Sequence, residues 1–275
     1  MSSRVKVTVP FQILSSFLTQ LVVRRHLVWT FVRRDLRSRY VGSVMGLCWS
    51  LLHPLVLLVA YTFVFQVIFQ VRPELGRTDS FAVFLFCGLL PWLYFQDTLQ
   101  RSCTSVVEQR NLIQKTLFPS EVLPLTLAAS NLVTHLFGVA VLLSVLLYLG
   151  LLTWTVWLLP AWLFWLMLLA LGLGWLLAAL QVFLRDTAQV LTVFLVFWFW
   201  FTPIFYQVEA VPPRFQFWLR LNPLTHVVEG YRLLLLEGRI PAPESWLAMA
   251  GFSLAIFFLG GLAFRGMKRE FADAL

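Results

Sequence analysis

The sequence predicts an all-α, polytopic membrane protein with six transmembrane helices. Three observations lead to this fold class: 60% of the residues are hydrophobic, only 12% are charged, and six stretches are long and apolar enough to cross a bilayer. A soluble domain is about 25% charged, so this chain lacks the polar surface that a water-soluble globule needs. The composition therefore excludes a soluble enzyme, a disordered chain and a disulfide scaffold.

The elements follow in order along the chain. Residues 1–43 form a tail in which apolar residues recur at helical spacing between arginine clusters, which predicts an amphipathic helix in the membrane interface. A simple basic anchor beside the first span is the alternative for this tail. Residues 44–275 then form one transmembrane domain, because about 20 apolar residues suffice for each crossing. We expect the spans near 44–69, 81–99, 123–149, 156–183, 188–205 and 246–264.

The distribution of basic residues predicts the orientation of these spans. Fifteen of the 21 Lys and Arg residues fall on the side that holds both termini, and six fall on the other side. The positive-inside rule therefore predicts that both termini are cytoplasmic. Charge spread over a tail and short loops does not form the water-facing basic domain that nucleic-acid binding requires, so we expect no nucleic-acid partner.

The sequence lacks the motifs of an ATPase and of a membrane enzyme. None of its lysines (Lys6, Lys115 and Lys268) follows a glycine, as the P-loop requires. Its His and Cys residues show no metal-ligand spacing, and its carboxylates are scattered. We therefore expect no catalytic residue, metal or cofactor in this chain. A membrane-embedded transferase, which needs clustered polar catalytic groups, is disfavoured.

Six segments carry a resemblance to a known family. They are 33–65, 111–125, 183–191, 197–206, 221–232 and 270–275. In matching order they resemble the membrane permeases of type-2 ATP-binding-cassette exporters, and within that class the bacterial subfamily that exports lipid-linked polysaccharides such as O-antigen and capsule, with teichoic-acid exporters close by. The resemblance implies a homodimer in the bacterial inner membrane, two separate ATPase subunits that bind ATP and Mg, and outward transport of a lipid-linked polysaccharide. A type-2 exporter of small hydrophobic drugs or lipids is the alternative.

The resemblance also assigns roles to two connections. Residues 101–121 resemble the coupling element that docks on the ATPase, and residues 207–245 resemble the periplasmic gate. The gate pieces are too short to cross and are interrupted by Pro, Asn and Gly, so they are expected to re-enter the membrane partway. The expected ATPase contacts are Glu108, Arg110, Asn111, Lys115 and Phe118. The residues matching the gate motif are Asn222, Pro223, Glu229, Tyr231 and Arg232.

Span 5 is unusually aromatic, since eight of the thirteen residues from Phe194 to Tyr206 carry aromatic rings. Spacings of three and four place Phe194, Phe197, Phe201 and Phe205 on roughly one helix face. Aromatic rings stack on the apolar faces of sugars, which predicts a channel lining; rings that face lipid are the alternative. The predicted channel residues are Phe194, Phe197, Trp198, Trp200, Phe201, Phe205 and Tyr206.

The arginines of the interfacial helix suit a phosphate ligand. A lipid-linked saccharide carries a pyrophosphate beside its lipid, and guanidinium groups bind such groups bidentately. We expect Arg33, Arg34, Arg37 and Arg39 to meet this headgroup at the cytoplasmic leaflet. Binding of anionic membrane lipid is the alternative role.

Polar and small residues within the spans predict helix contacts. His53, Asn131 and His135 lie in apolar stretches, so they should face protein or the channel and form interhelical hydrogen bonds. Glu229 and Arg232 stand three residues apart, which allows either a buried or a solvated pair. Small residues in the run 170–178 permit close helix approach, which we expect at the dimer seam.

Overall fold

The computed structural model describes residues 25–40, 48–70, 80–115 and 118–275. Throughout these ranges the regular structure is helical, without a strand, which confirms the predicted all-α class. Part of the predicted interfacial tail and the beginning of predicted span 1 lie outside the described residues.

The helices are numbered here in chain order within the described ranges. They are α1 (Arg25–Tyr40), α2 (Cys48–Thr62), α3 (Phe81–Glu108), α4 (Arg110–Lys115), α5 (Val122–Tyr148), α6 (Leu159–Phe183), α7 (Thr187–Phe201), α8 (Pro213–Arg220), α9 (Pro223–Arg232), α10 (Pro243–Met267) and α11 (Phe271–Ala274). Short π-helical turns continue α2 over Phe63–Ile68 and α9 over Leu233–Glu237, and 3-10 turns occupy Trp154–Leu158, Val208–Ala210 and Lys268–Glu270.

Four of the described helices are long and apolar enough to cross a membrane, and they contain predicted spans 2, 3, 4 and 6. The helix of span 2 continues to Glu108, well beyond the predicted end at residue 99. The predicted coupling region therefore begins as a direct extension of a membrane helix. The four helices are Phe81–Glu108, Val122–Tyr148, Trp154–Phe183 and Pro243–Glu270.

Predicted spans 1 and 5 fall on shorter apolar helices, Leu52–Ile68 and Thr187–Phe201. The 15 residues of α7 extend only about 22 Å, less than the roughly 30 Å of hydrocarbon in a bilayer. Pro203 explains this early end, because a proline restricts the residue before it to extended conformations. Thr202 adopts such a conformation, with φ −89° and ψ 134°.

The bundle is built around α3 and α6, which pack against each other. α5 packs on α3, α10 packs on α6, and α1 lies on α5. α6 and α10 approach so closely at Gly172 and Gly260 that a Cβ on Gly260 would lie 1.9 Å from the Gly172 carbonyl oxygen. Only a residue without a Cβ fits this crossing.

The small residues of the run 170–178 also pack inside the protomer. Ala170 and Ala178 are fully buried, and a Cβ on Gly174 would lie 3.0 Å from the Ser102 hydroxyl of α3. The prediction that this run forms a dimer seam is therefore wrong, because neighbouring helices of the same chain already cover it.

The bundle has two ends, which are named here for the segments they hold. The coupling end holds the end of α3, α4, the beginning of α5 and the C-terminal residues. An ion pair between Lys268 and the buried Glu121 joins the last two, and Trp175 of α6 donates to the Glu121 carbonyl at 3.0 Å. The gate end holds the end of α7, α8, α9 and the beginning of α10.

Candidate functional site

The aromatic segment of α7 leaves one face of the helix open. Phe194, Phe197 and Trp200 are 51%, 69% and 53% exposed, and Val190 and Val193 lie on the same side, more than half exposed. A contiguous apolar face of this kind is typical of contact with lipid or with another protein surface. The structure thus brings three of the seven predicted channel residues onto one accessible surface.

Phe205 does not belong to this face, so that part of the prediction from spacing is wrong. α7 ends at Phe201 and the chain turns inward, which leaves Phe205 only 4% exposed. Its ring stacks on Phe65 beyond α2, with 4.6 Å between the ring centroids. Phe201, Trp198 and Tyr206 are half-buried at the edge of the open face.

Arg232 of α9 holds the irregular segment that follows α7. The side chain is buried, and its guanidinium donates to the carbonyls of Pro203 at 2.8 Å, Ile204 at 2.7 Å and Tyr206 at 3.2 Å. It also lies 3.6 Å from the ring centroid of Phe84 on α3. Non-helical backbone at membrane depth must find its partners within the protein. Arg232 therefore satisfies carbonyls that the helix break leaves without partners.

Glu229 lies beside this cluster without joining it. The guanidinium of Arg232 is directed to backbone carbonyls, and the ion pairs of the described residues do not include one between Arg232 and Glu229. Burial and the neighbouring Glu209 carboxylate raise the pKa of the Glu229 carboxyl. The pairing that the i, i+3 spacing allows is thus not formed.

Asn222 joins the gate helices to α7. Its Oδ1 accepts from the amide of Leu224, at the beginning of α9, and from Nε1 of Trp198 at 2.9 Å. Its Nδ2 donates to the hydroxyl of Thr202 at 3.0 Å. Pro223 occupies the first position of α9, where its missing amide hydrogen costs no helical bond. One side chain therefore caps α9 and fixes the end of α7.

Two further contacts hold α9 against the bundle. The Tyr231 hydroxyl lies 2.7 Å from Nε2 of His135 on α5, which confirms the interhelical bonding predicted for this histidine. Trp162 of α6 donates to the Val227 carbonyl at 3.2 Å. α9 approaches α6 so closely that a Cβ on Gly230 would lie 2.2 Å from the Trp162 ring. α9 is thus a fixed wall of the bundle, whereas most of α8 is exposed.

At the coupling end, four of the five predicted ATPase contacts are exposed on one short stretch. The fifth, Phe118, is half-buried, and its ring centroid lies 5.3 Å from that of Phe31 on α1. The coupling region therefore presents polar side chains outward and is attached to the interfacial helix by an aromatic contact. The four exposed residues are Glu108, Arg110, Asn111 and Lys115.

The arginines of α1 lie in two different environments. Arg33, Arg34 and Arg37 are exposed, and the first two lie over aromatic rings of the same helix. Arg39 is partly buried and forms an ion pair with Asp35, with 2.9 Å between nitrogen and oxygen. Three of the four predicted headgroup arginines are thus accessible, and the fourth is engaged inside the protein.

The sequence reasoning missed a polar network around Asp35. This carboxylate accepts hydrogen bonds from Arg39, from Arg101 of α3 and from Ser130 of α5. The side-chain oxygen of Asn131 accepts from both arginines, which confirms its predicted interhelical bonding. The network joins α1, α3 and α5. The sequence did offer one signal for this network. Asp35 is a carboxylate among several arginines, which predicts an ion pair within the protein.

Comparison with known proteins identifies the family. Residues 26–236 match the family model of the ABC-2 type transporter. The chain belongs to the ABC-2 type transporter family. This confirms the resemblance on which the sequence analysis relied, and the matched part of this transporter extends from α1 to the turn after α9.

Curated relatives align along most of this transporter. It is 29% identical over 258 residues to the O-antigen export system permease protein RfbA of Myxococcus xanthus, covering 91% of this chain and 96% of the relative. A protein of the same name from Klebsiella pneumoniae is 28% identical over 253 residues, covering 90% and 95%. The polysialic acid transport protein KpsM of Escherichia coli is 26% identical over 248 residues, covering 84% and 90%.

Proposed function

We propose that this transporter is the permease subunit of an ATP-driven exporter of lipid-linked polysaccharide. Relatives that align along nearly the whole chain are named for O-antigen export and polysialic acid transport. The observation that carries the proposal is the open face of α7, where accessible aromatic rings follow one another along the helix. Rings stack on sugar faces without gripping particular hydroxyls, which suits a polymer that must slide.

Two copies of the chain form the channel. The apolar face of α7 lacks a partner within the described part of one protomer, and a two-fold pair is the commonest oligomer. In such a pair Phe194, Phe197 and Trp200 of each copy line a shared path. Phe205 and Trp198 support this lining from behind.

Two separate ATPase subunits bind ATP and Mg and dock at the coupling end. The exposed residues Glu108, Arg110, Asn111 and Lys115 offer a polar surface for a groove on the ATPase. This surface lies on the extension of α3, so closure of the ATPase moves a membrane helix directly.

All six predicted spans cross the bacterial inner membrane, with both termini in the cytoplasm. α2 and its π turn, with 15 and 6 residues, together rise about 30 Å. α7 completes its crossing with the segment 202–206 that Arg232 satisfies. The excess of Lys and Arg on the side of the coupling end supports this orientation. α8 and α9 then form the re-entrant gate on the periplasmic side.

The exposed arginines of α1 receive the pyrophosphate of the lipid carrier. Arg33, Arg34 and Arg37 are accessible for bidentate contacts. Arg39 contributes by holding α1 against α3 and α5. Replacing Arg34 and Arg37 with Gln lowers export at unchanged membrane insertion; export at the normal level would contradict the headgroup role.

The test is the ATPase activity of the purified complex of this chain with its ATPase, reconstituted in lipid. Lipid-linked glycan extracted from the producing bacterium stimulates hydrolysis, while small amphiphiles have little effect. A response to small amphiphiles without any response to glycan would contradict the proposal and favour a drug exporter.

A further inference from the structure

A cleft of about 410 Å³, lined by apolar side chains with several polar ones among them, opens between α1, α2, α3 and α5, away from the open face of α7. Its volume falls within the roughly 300–1,000 Å³ of small-molecule sites. α3 and α5 contribute polar side chains at one-turn spacing, and α2 contributes His53. On α3 these are Gln96, Asp97 and Gln100, and on α5 they include Asn131 and Thr134.

The inner wall of the cleft consists of groups whose hydrogen bonds are already made. Asn131 donates to the Thr98 hydroxyl at 3.1 Å, and His135 is paired with Tyr231. Arg39 is held by Asp35. These groups hold the helices together and are not available to a ligand.

The outer wall carries polar groups that the rest of the fold does not use. Among the described residues no hydrogen bond is formed by Asp97 and Gln100 of α3 or by His53 of α2, so the interhelical hydrogen bond predicted for His53 is not formed. Asp97 lies near the charges of Arg39 and His53 without a direct ion pair to either. Gln96 accepts from Trp92 at 2.6 Å and keeps its amide hydrogens for another partner. Asp97 is exposed and lies two residues before the expected end of span 2 at residue 99, so this wall faces the coupling end of the bundle. Polar groups that converge on a cleft and lack partners in the fold mark a candidate binding site.

The chemistry of this wall selects a neutral ligand rich in hydroxyl groups. Asp97 accepts from hydroxyls, and the amides of Gln96 and Gln100 both donate and accept. Trp49, one turn from His53 on α2, is 53% exposed and offers its ring to an apolar C–H face. A phosphate group is disfavoured, because the Asp97 carboxylate repels it and the guanidinium of Arg39 is already engaged by Asp35 and Asn131.

We propose that this cleft binds a sugar residue of the transported glycan, at a site separate from the aromatic face of α7. The inference rests on the proposed function, because it takes the transported substrate as the source of the sugar. Since Arg39 of α1 lines the cleft, the sugar lies next to the helix that carries the headgroup arginines.

The first experiment measures the concentration of lipid-linked glycan that half-maximally stimulates the reconstituted complex. Asp97→Asn, Gln100→Leu and Trp49→Ala each raise this concentration by about tenfold, because one good hydrogen bond or stacking contact accounts for about that factor. Trp49→Phe keeps most of the affinity. Thermal unfolding and co-purification with the ATPase show whether each variant complex remains folded and assembled.

Matched controls replace residues of the same type outside the cleft. Trp157, in the 3-10 turn before α6, is 85% exposed, and Gln66 in the turn after α2 is also exposed. Trp157→Ala and Gln66→Leu leave the half-maximal concentration unchanged. Wild-type values for the three cleft variants would overturn the proposal.

A labelling experiment reports on the cleft without depending on ATP hydrolysis. Gln100→Cys is combined with Cys48→Ser, because Cys87 and Cys103 are buried, and the full complex is treated with a water-soluble maleimide. Oligosaccharide released from the lipid slows labelling about tenfold at ten times its Kd. Protection by inorganic pyrophosphate instead of oligosaccharide would overturn the proposal. If glycan fails to stimulate even the wild-type complex, the proposed function fails, while the labelling still tests the cleft.

Discussion

Arg232 donates hydrogen bonds to backbone carbonyls at the point where α7 ends, before a full crossing of the membrane. Its guanidinium reaches Pro203, Ile204 and Tyr206 from a different helix, so one side chain fixes both the broken end of α7 and the position of α9. A guanidinium suits this role because it carries five donors in a rigid plane. Lysine concentrates its charge at one point and lacks this geometry.

We predict that Arg232→Leu destabilises the protein strongly. The substitution removes hydrogen bonds to a charged group, each worth about 1.5–3 kcal/mol, and leaves buried carbonyls without partners. The Tm of the purified protein falls by roughly 5 °C or more, as measured by thermal unfolding in detergent. Arg232→Lys recovers only part of the loss.

The matched control for this variant is Arg214→Leu on the neighbouring helix α8, where the arginine is exposed. A surface substitution of this kind changes stability by about 0.5 kcal/mol or less. Equal melting temperatures for Arg232→Leu and Arg214→Leu would show that the guanidinium does not hold the segment after α7.

The network around Asp35 leads to a second prediction at the residue scale. Asp35→Ala leaves Arg39 and Arg101 side by side without the carboxylate that they share. We expect the free energy of unfolding to fall by about 3–5 kcal/mol. Arg101→Ala added to Asp35→Ala costs less than the two single effects combined, because the unpaired charge is removed as well. Thermal unfolding of the two single variants and the double variant measures this coupling, and strict additivity would contradict it.

At the scale of elements, the predicted gate region consists of one fixed helix and one exposed helix. α9 is bound to α5, α6 and α7 through Tyr231, Trp162 and Asn222. α8 makes few contacts with the rest of the bundle, and its Phe217 and Trp218 are exposed. Movement at the outer mouth is therefore expected in α8 rather than in α9.

Gly230→Ala tests the close contact of α9 with α6. The added Cβ meets the Trp162 ring at 2.2 Å, so either the ring or the helix must shift. We expect the free energy of unfolding to fall by about 1–3 kcal/mol, as is typical of overpacking, and export to be reduced. The loss is measured by thermal unfolding of the purified protein.

Gly251→Ala, within α10, is the control for this substitution. A Cβ at Gly251 meets no atom within 4 Å, and alanine favours the helix by roughly 0.5–1 kcal/mol. The control therefore retains or gains stability. A Gly230→Ala variant as stable as this control would refute the fixed position of α9.

The sequence located the elements well because the length of an apolar run decides whether a helix can span the membrane. Helix ends depended on weaker local signals. The apolar run of span 5 continues past Pro203, so helical spacing within that run placed Phe205 on a face of a helix that in fact ends at Phe201. α3 continues to Glu108 through polar residues such as Ser102, because that side packs against Gly174 of α6.

The site was predictable only in part, because its side chains find their partners on helices that are distant in the sequence. The family resemblance predicted Asn222, Tyr231 and Arg232 as gate residues, yet their partners lie far away in the sequence and depend on the break after α7. The network of Asp35 with Arg101 likewise joins residues from separate helices. The chain order of residues does not reveal such contacts unless the packing of the helices is known.

At the scale of the whole molecule, the account requires two copies with their α7 faces toward each other. Phe197→Cys, in a chain with Cys48→Ser, is therefore expected to form a covalent dimer in membranes treated with a bismaleimide. Trp157→Cys, which is even more exposed and lies on a different part of the bundle, stays monomeric. If the Phe197→Cys and Val193→Cys variants both stayed monomeric under the same treatment, the shared channel would be contradicted.

Polysaccharide export by this chain can be measured as transport in proteoliposomes. The complex of this chain and its ATPase is reconstituted with lipid-linked glycan in the outer leaflet and with the ATPase facing outward. Glycan that reaches the lumen is protected from an added glycosidase. We expect the protected fraction to rise with ATP and Mg and to stay at background when the ATPase carries an inactive nucleotide site. A protected fraction that does not respond to ATP, in a complex that hydrolyses it, would contradict polysaccharide export by this chain.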